Sequence, residues 1–137
     1  MPTSLSPLAT LINVGVGGAF GAVLRHQLGR AMTQWLGPVA VTTFPWATLA
    51  VNALGSVLMG FLAGWLAFRS PGNGEQLRLL LGVGLLGGFT TFSAFSLELV
   101  LLIERGQLFL AGVYAFLSVA LGICGLFAAL MLMRAAG

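Results

Sequence analysis

Four long apolar runs, separated by short clusters of breakers and charges, constrain the fold of this chain most strongly. The runs cover residues 8–24, 46–68, 76–103 and 107–133. A helix needs about 20 apolar residues to cross the hydrocarbon core of a bilayer. Each run approaches or exceeds that length, so the sequence predicts four transmembrane helices.

Composition leaves no other common fold class for this chain. Apolar residues make up 58% of it and charged residues 7%, whereas a soluble domain carries about 25% charged residues. Such a chain cannot cover a water-facing surface. The 20 glycines suit helices that pack closely in a membrane. We predict a single all-α integral membrane domain over residues 1–137, in the cell (inner) membrane.

Charged residues mark the ends of the predicted helices. The first helix reaches Arg25, His26 and Arg30 and continues along the membrane interface to about Trp35. His26 is interpreted as an interfacial residue, because it lies beside an arginine at a membrane boundary. Residues 69–74 form the predicted loop between the second and third helices.

The arginines divide equally between the two sides of the membrane. Four helices place both termini on one side, and that side holds Arg69, Arg78 and Arg134, while the other holds Arg25, Arg30 and Arg105. The positive-inside rule therefore gives no orientation. Two explanations stay open: other features fix the orientation, or the protein inserts both ways and pairs head to tail.

Polar and small residues form one stripe along the second helix. Thr48, Asn52, Ser56, Gly60 and Gly64 are four residues apart and share a face. Such spacing is typical of helix–helix packing, the interpretation we favour for the last three. An amide is costly in lipid unless it is hydrogen-bonded. Asn52 therefore bridges two helices or, as we favour, donates N–H groups to an anion.

The third apolar run is interrupted at residues 87–96, Gly-Gly-Phe-Thr-Thr-Phe-Ser-Ala-Phe-Ser. Glycines lower helix propensity, and threonine and serine hydroxyls compete for backbone hydrogen bonds. We predict that this helix is broken mid-membrane, where exposed carbonyls typically bind a cation. The alternative is a kinked helix whose hydroxyls bond to their own backbone.

Two phenylalanines and one acid follow the interruption. Phe92 and Phe95 are three residues apart and share a face; they either pack in lipid or present electropositive ring edges to an anion. Glu98 is the one acid well inside a predicted helix, which makes it a functional candidate. With Tyr114 and Ser118 of the fourth helix it forms either a chain of hydrogen bonds or a structural clasp.

Other chemistry has little support in the sequence. The chain has no lysine and no basic run, so we expect no nucleic-acid partner. Its single His26 and single Cys124 are far apart and offer no metal-ligand cluster. No nucleophile stands with a base, so we expect no enzyme. Cys124 is interpreted as a small buried packing residue.

Three motifs together resemble the CrcB/Fluc fluoride channels over nearly the whole chain. They are GGAFGAVLR at residues 17–25, TLAVN at residues 48–52 and GGFTTFSAFSLE at residues 87–98. The resemblance implies an antiparallel dual-topology homodimer in the lipid bilayer, with two fluoride pores and passive fluoride export. It also implies a structural Na⁺ held by backbone carbonyls of Gly87 and Thr90.

The resemblance also implies roles for individual side chains. Arg25 matches the basic residue of the entrance. The remaining matches line the pore: Asn52, Thr91, Phe92, Ser93, Phe95, Glu98, Tyr114 and Ser118. The chain departs from the family pattern at His26, Ala47 and Ala94, and alanine at position 94 lacks the hydroxyl of the threonine often found there in the family.

Two rivals to a fluoride channel remain. A proton-coupled small four-span exporter would use Glu98 as its membrane acid against a cationic substrate. A scaffold or assembly subunit without transport would explain the small-residue stripe, but not Asn52 and Glu98. Dependence on a proton gradient would favour the exporter.

Overall fold

The computed structural model describes residues 5–69 and 72–137, and every regular element in those ranges is a helix. The elements, in chain order, are α1 Pro7–Leu36, α2 Pro38–Thr43, α3 Trp46–Arg69, α4 Gly74–Leu77, a π-helical segment Arg78–Leu86, α5 Gly87–Phe89, α6 Phe92–Glu104 and α7 Leu108–Ala136. The elements from α4 to α6 form one span, Gly74–Glu104.

Within the described residues, four helices are long and apolar enough to cross a membrane: α1, α3, the third span and α7. The prediction of an all-helical, multi-pass membrane protein is therefore confirmed. Many large apolar side chains face outward, as they do where the solvent is lipid.

The boundaries of α1 follow from local chemistry. The Ser6 hydroxyl accepts a hydrogen bond from the Ala9 N–H at 3.2 Å, and Pro7 occupies the first helical position. The helix ends at Gly37, whose φ of 85° favours glycine. The predicted continuation towards Trp35 is thus one unbroken helix with the membrane-spanning part. Within the predicted loop 69–74, Ser70 and Pro71 lie outside the described residues.

Helix α1 lies parallel to the third span, in direct backbone contact. A Cβ atom at Gly17 would overlap the carbonyl oxygen of Leu80, and one at Gly21 would overlap that of Leu85. Gly88 faces the backbone of Gly18 in the same way. Small residues permit this close approach, so that the interrupted third span packs along the continuous helix α1.

Helix α3 packs against α7 through its small residues. A Cβ atom at Gly60 would meet the Leu126 carbonyl, and one at Gly64 would meet Met133. The packing interpretation of this part of the stripe is confirmed. The prediction of a buried Cys124 is wrong, because this residue is exposed. It lies on α7 away from the positions that contact α3.

The most buried cluster lies near one end of the bundle. It joins residues from the α2–α3 junction, α3, α6 and α7: Phe44, Leu49, Leu102, Ala111 and Tyr114. Tyr114 is fully buried. Phe95 packs against this cluster, which therefore supports α6 just beyond the interruption of the third span.

Candidate functional site

The third span leaves helical geometry at two residues. Helix α5 ends at Phe89 and α6 begins at Phe92. Between them Thr90 (φ −81°, ψ 158°) and Thr91 (φ −153°, ψ 117°) are extended. The hydroxyl of Thr91 caps α6 by accepting from the Ala94 N–H at 3.2 Å.

These two residues release backbone carbonyls from their helical partners. In an uninterrupted helix the N–H of Thr91 would reach the Gly87 carbonyl, and that of Ala94 would reach the Thr90 carbonyl. Both N–H groups donate to side-chain oxygens instead, those of Asn52 and Thr91. The carbonyls of Gly87 and Thr90 therefore lose the donors that a continuous helix would give them.

Asn52 bridges α3 to the interruption. Its Oδ1 accepts from the Thr91 N–H at 2.8 Å, and its Nδ2 donates to the Thr91 carbonyl at 3.0 Å. The amide orientation follows, because a backbone N–H only donates and a carbonyl only accepts. A carboxamide has two N–H groups, so one of them is not used in this bridge. Bridging and anion contact are thus compatible in the same side chain.

Glu98 is held by hydroxyls from two other helices. Thr48 Oγ1 donates to Glu98 Oε1 at 2.8 Å, and the Tyr114 hydroxyl donates to Oε2 at 2.7 Å. This arrangement ties α3, α6 and α7 together. Thr48 was placed on the polar stripe, but its contact with Glu98 was missed; its position one turn before Asn52 was the available signal.

The predicted chain from Glu98 through Tyr114 to Ser118 is only half present. Ser118 Oγ is buried and has no hydrogen-bond partner within residues 5–69 and 72–137. The Tyr114 hydroxyl is engaged with Glu98, and Ser118 lies one turn further along α7. An unpartnered buried hydroxyl retains the capacity to bind a ligand or a group from another chain.

Aromatic rings extend in a row from the interruption into the buried cluster. The ring centroids are 5.6 Å apart for Phe92 and Phe95, 5.1 Å for Phe95 and Tyr114, and 5.5 Å for Tyr114 and Phe44. Phe92 remains 79% exposed, so this chain covers little of its ring. Sequence reasoning missed Phe44, because no helical spacing links it to the other three.

Arg25 lines a cavity of about 340 Å³ that leads from α1 to the interruption. His26 of α1, Thr48 of α3, and Thr91 and Ala94 of the third span also line it. We call this space the Arg25 cavity. Ala94 supplies no hydroxyl here, so the departure from the family motif falls on the cavity wall.

A second cavity, of about 290 Å³, lies on the other side of the Asn52 bridge. Its lining includes Asn52, Ser56, Thr90, Thr91 and Phe92. Thr91 therefore lies between two cavities, with Asn52 fixing its backbone.

Ser93 completes the hydroxyl group beside the interruption. It is exposed, with its Oγ 3.3 Å from Thr91 Oγ1. The structure thus gathers Asn52, Thr91, Phe92 and Ser93 at the interruption, and Phe95, Glu98 and Tyr114 in the adjoining cluster. Ser118 stands apart from both.

Comparisons with known proteins identify the family of this chain. The sequence model of the CrcB-like protein, Camphor Resistance (CrcB) family matches residues 12–130. A protein of Erythrobacter litoralis named Fluoride-specific ion channel FluC is 60% identical over 132 residues, covering 96% of this chain and 97% of the relative.

Other relatives carry the same name. The protein of Novosphingobium aromaticivorans is 61% identical over 121 residues, covering 88% of this chain and 93% of its own. That of Phenylobacterium zucineum is 53% identical over 127 residues, covering 93% and 97%. These names describe ion channels, in line with the expectation that the chain is not an enzyme. On the extent of these matches, the chain belongs to the CrcB-like family.

Proposed function

We propose that this protein is a fluoride-selective channel that lets fluoride leave the cell passively through the inner membrane. The observation that carries the proposal is the Asn52–Thr91 bridge, with a basic cavity on one side and an exposed phenyl ring on the other. The names of the relatives supply the identity of the ion.

The groups beside the bridge suit a small anion. A dry pore must replace the water bound to fluoride with hydrogen-bond donors. The free N–H of Asn52 and the hydroxyls of Thr91 and Ser93 are donors of this kind. The edges of Phe92 and Phe95 add weaker positive contacts, which permit the ion to leave.

The proposed channel is an antiparallel homodimer with two pores. Two features of the single chain support the presence of a second copy beside it. Phe92 is 79% exposed although it lies beside the polar interruption, and the buried Ser118 hydroxyl has no hydrogen-bond partner in the described ranges. The equal division of arginines between the two sides supports insertion in both orientations.

A structural Na⁺ belongs to the same proposal. Within residues 5–69 and 72–137, no group of three His, Cys, Asp or Glu side chains can hold a metal. The backbone carbonyls of Gly87 and Thr90 are better candidates than these side chains for binding a sodium ion, because the carbonyls of unwound helices are typical Na⁺ ligands. The ion would supply positive charge that stabilises carbonyls deprived of their helical donors.

The geometry of Glu98 argues against the exporter alternative. Both carboxyl oxygens accept hydrogen bonds from neighbouring helices. An acid that exchanges protons for a bulky cation needs unengaged oxygens facing a wide cavity. The cavity that Glu98 lines has a volume of only about 170 Å³. Here the carboxyl group is used as a clasp between α3, α6 and α7.

Efflux from liposomes tests the proposed function. Purified protein is reconstituted with fluoride or chloride inside, and the external ion is followed with selective electrodes. We expect rapid fluoride efflux, little chloride efflux and no requirement for a proton gradient. Equal efflux of the two ions, or fluoride efflux that stops when the proton gradient is removed, would overturn the proposal.

A further inference from the structure

His26 also lines the Arg25 cavity. It follows Arg25 on α1, and both side chains line the same space as Thr48 and Thr91. Arg25 is half-buried and His26 is exposed. The cavity wall therefore contains the guanidinium group of Arg25 and, next to it, the imidazole ring of His26.

Among the described residues, those that line the Arg25 cavity opposite α1 carry no charge. Its lining from α3 and the third span consists of Ala47, Thr48, Val51, Thr91 and Ala94. Glu98 lies behind Thr48, with one oxygen bonded to that hydroxyl and the other to Tyr114. The groups that line the cavity and can carry charge are thus Arg25 and His26, and both favour an anion.

Charged groups on the other elements packed against α1 lie outside the lining. Helix α2 contains no titratable residue. In α3 the basic residue of the last turn is Arg69, at the far end of that helix. Arg78 begins the π-helical segment, also far from the cavity along the span, and Arg30 lies one turn beyond His26 on α1.

We propose that protonated His26 is a second anion-binding residue of the Arg25 cavity, so that acid increases the rate at which fluoride enters the channel. This inference rests on the proposed function. Histidine is the side chain whose charge ordinarily changes between about pH 5 and 8. A second positive charge in a narrow cavity raises the local concentration of anions and their entry rate.

Fluoride current across planar bilayers tests this inference. Current is the suitable readout because hydrogen fluoride, which forms in acid and crosses lipid, carries no charge. Wild-type protein, His26→Gln and His26→Arg are compared at low fluoride between pH 8 and pH 5.5, with the same pH on both sides. Gel filtration in detergent checks that each variant is folded.

We expect wild-type current to rise about threefold on acidification, from the added charge in the cavity. The current of His26→Gln should not rise on acidification, and that of His26→Arg should be equally insensitive to pH and higher than that of His26→Gln. Higher ionic strength should reduce the acid stimulation, because salt screens the added charge.

Two failures are distinguishable. Fluoride current in the wild type with the same pH dependence in His26→Gln overturns the role of His26 and leaves the channel intact. Absence of fluoride current in the wild type at every pH overturns the proposed function and this inference with it.

Discussion

A carboxyl group stays inside this apolar bundle because two hydroxyls are directed at it. Burying a polar group is costly unless its hydrogen bonds are satisfied. Thr48 and Tyr114 each satisfy one oxygen of Glu98, and both donors are themselves buried. The clasp therefore contributes to stability and also fixes α6 beside the interruption.

Removing one hydroxyl of the clasp should destabilise the protein. Thr48→Val preserves the shape of the side chain but leaves Glu98 Oε1 without its donor, at a cost of about 1–3 kcal/mol. Thr48→Ser keeps the hydroxyl and is the matched control. Thermal unfolding in detergent should separate the two variants; equal stability would contradict the clasp.

The two phenylalanines beyond the interruption should matter for ion passage more than for folding. Phe92→Ile or Phe95→Ile removes the electropositive ring edge and keeps an apolar side chain of intermediate size. Fluoride efflux from liposomes should fall by at least about tenfold, which is an increase in the barrier of about 1.4 kcal/mol. Gel filtration should give the same elution volume as the wild type.

A matched control for Phe92→Ile, whose ring is also exposed, is Phe116→Ile. Phe116 is exposed on α7, away from the aromatic row. Wild-type efflux in both Phe92→Ile and Phe95→Ile would remove these rings from the proposed pore.

Residue chemistry was partly visible in the sequence. Asn52 and Glu98 stood out because polar groups are costly in lipid, and both make the inter-helix contacts that such groups require. The partners of these side chains were less visible. Phe44 joins the aromatic row through tertiary packing, and no local pattern of a single sequence indicates that contact.

At the scale of helices, the positions of the glycines in α1 determine how closely this helix packs against the third span. Gly17 and Gly21 of α1 lie where a Cβ atom would overlap carbonyl oxygens of the third span. Gly15, two residues before the first of them on the same helix, has no atom within 4 Å of such a Cβ. The two kinds of glycine on one helix provide a direct comparison.

Gly21→Ala should separate α1 from the third span, whereas Gly15→Ala should not. Overpacking at Gly21 is expected to cost about 1–3 kcal/mol. Gly15→Ala should change stability by less than about 1 kcal/mol, because alanine favours the helix and meets nothing. Thermal unfolding measures both, and equal losses would show that the contact is adaptable.

The sequence predicted the four long helices well, because apolar runs of that length are typical of transmembrane helices and of few other structures. It did not predict the π-helical segment Arg78–Leu86 or the short α2. A π-helical turn depends on how a span is packed as well as on its residues, and Gly82 and Gly84 are not a specific signal for it. Pro38 occupies the first position of α2, because proline begins helices as well as breaking them.

For the whole molecule, the proposed dual topology gives a direct prediction. Reporters fused to the C-terminus, one active outside the cytoplasm and one active inside, should both give signal from the same chain. Adding two arginines beside Arg105 should shift the balance to one orientation, because it breaks the three-to-three division.

An added-arginine variant should lose fluoride efflux when expressed alone. It should regain efflux when co-expressed with a variant carrying the extra arginines beside Arg134, which favours the opposite orientation. Full efflux from a chain held in a single orientation would contradict the antiparallel dimer.

The bridge between Asn52 and Thr91 has a mechanical consequence. Two hydrogen bonds from one planar amide to one backbone unit define a direction as well as a distance. Rotation of α6 about its own axis would break both bonds together. The angles at which Phe92 points outward and Phe95 points into the buried cluster therefore depend on a side chain of another helix. A substitution on α3 can misdirect both rings without touching them.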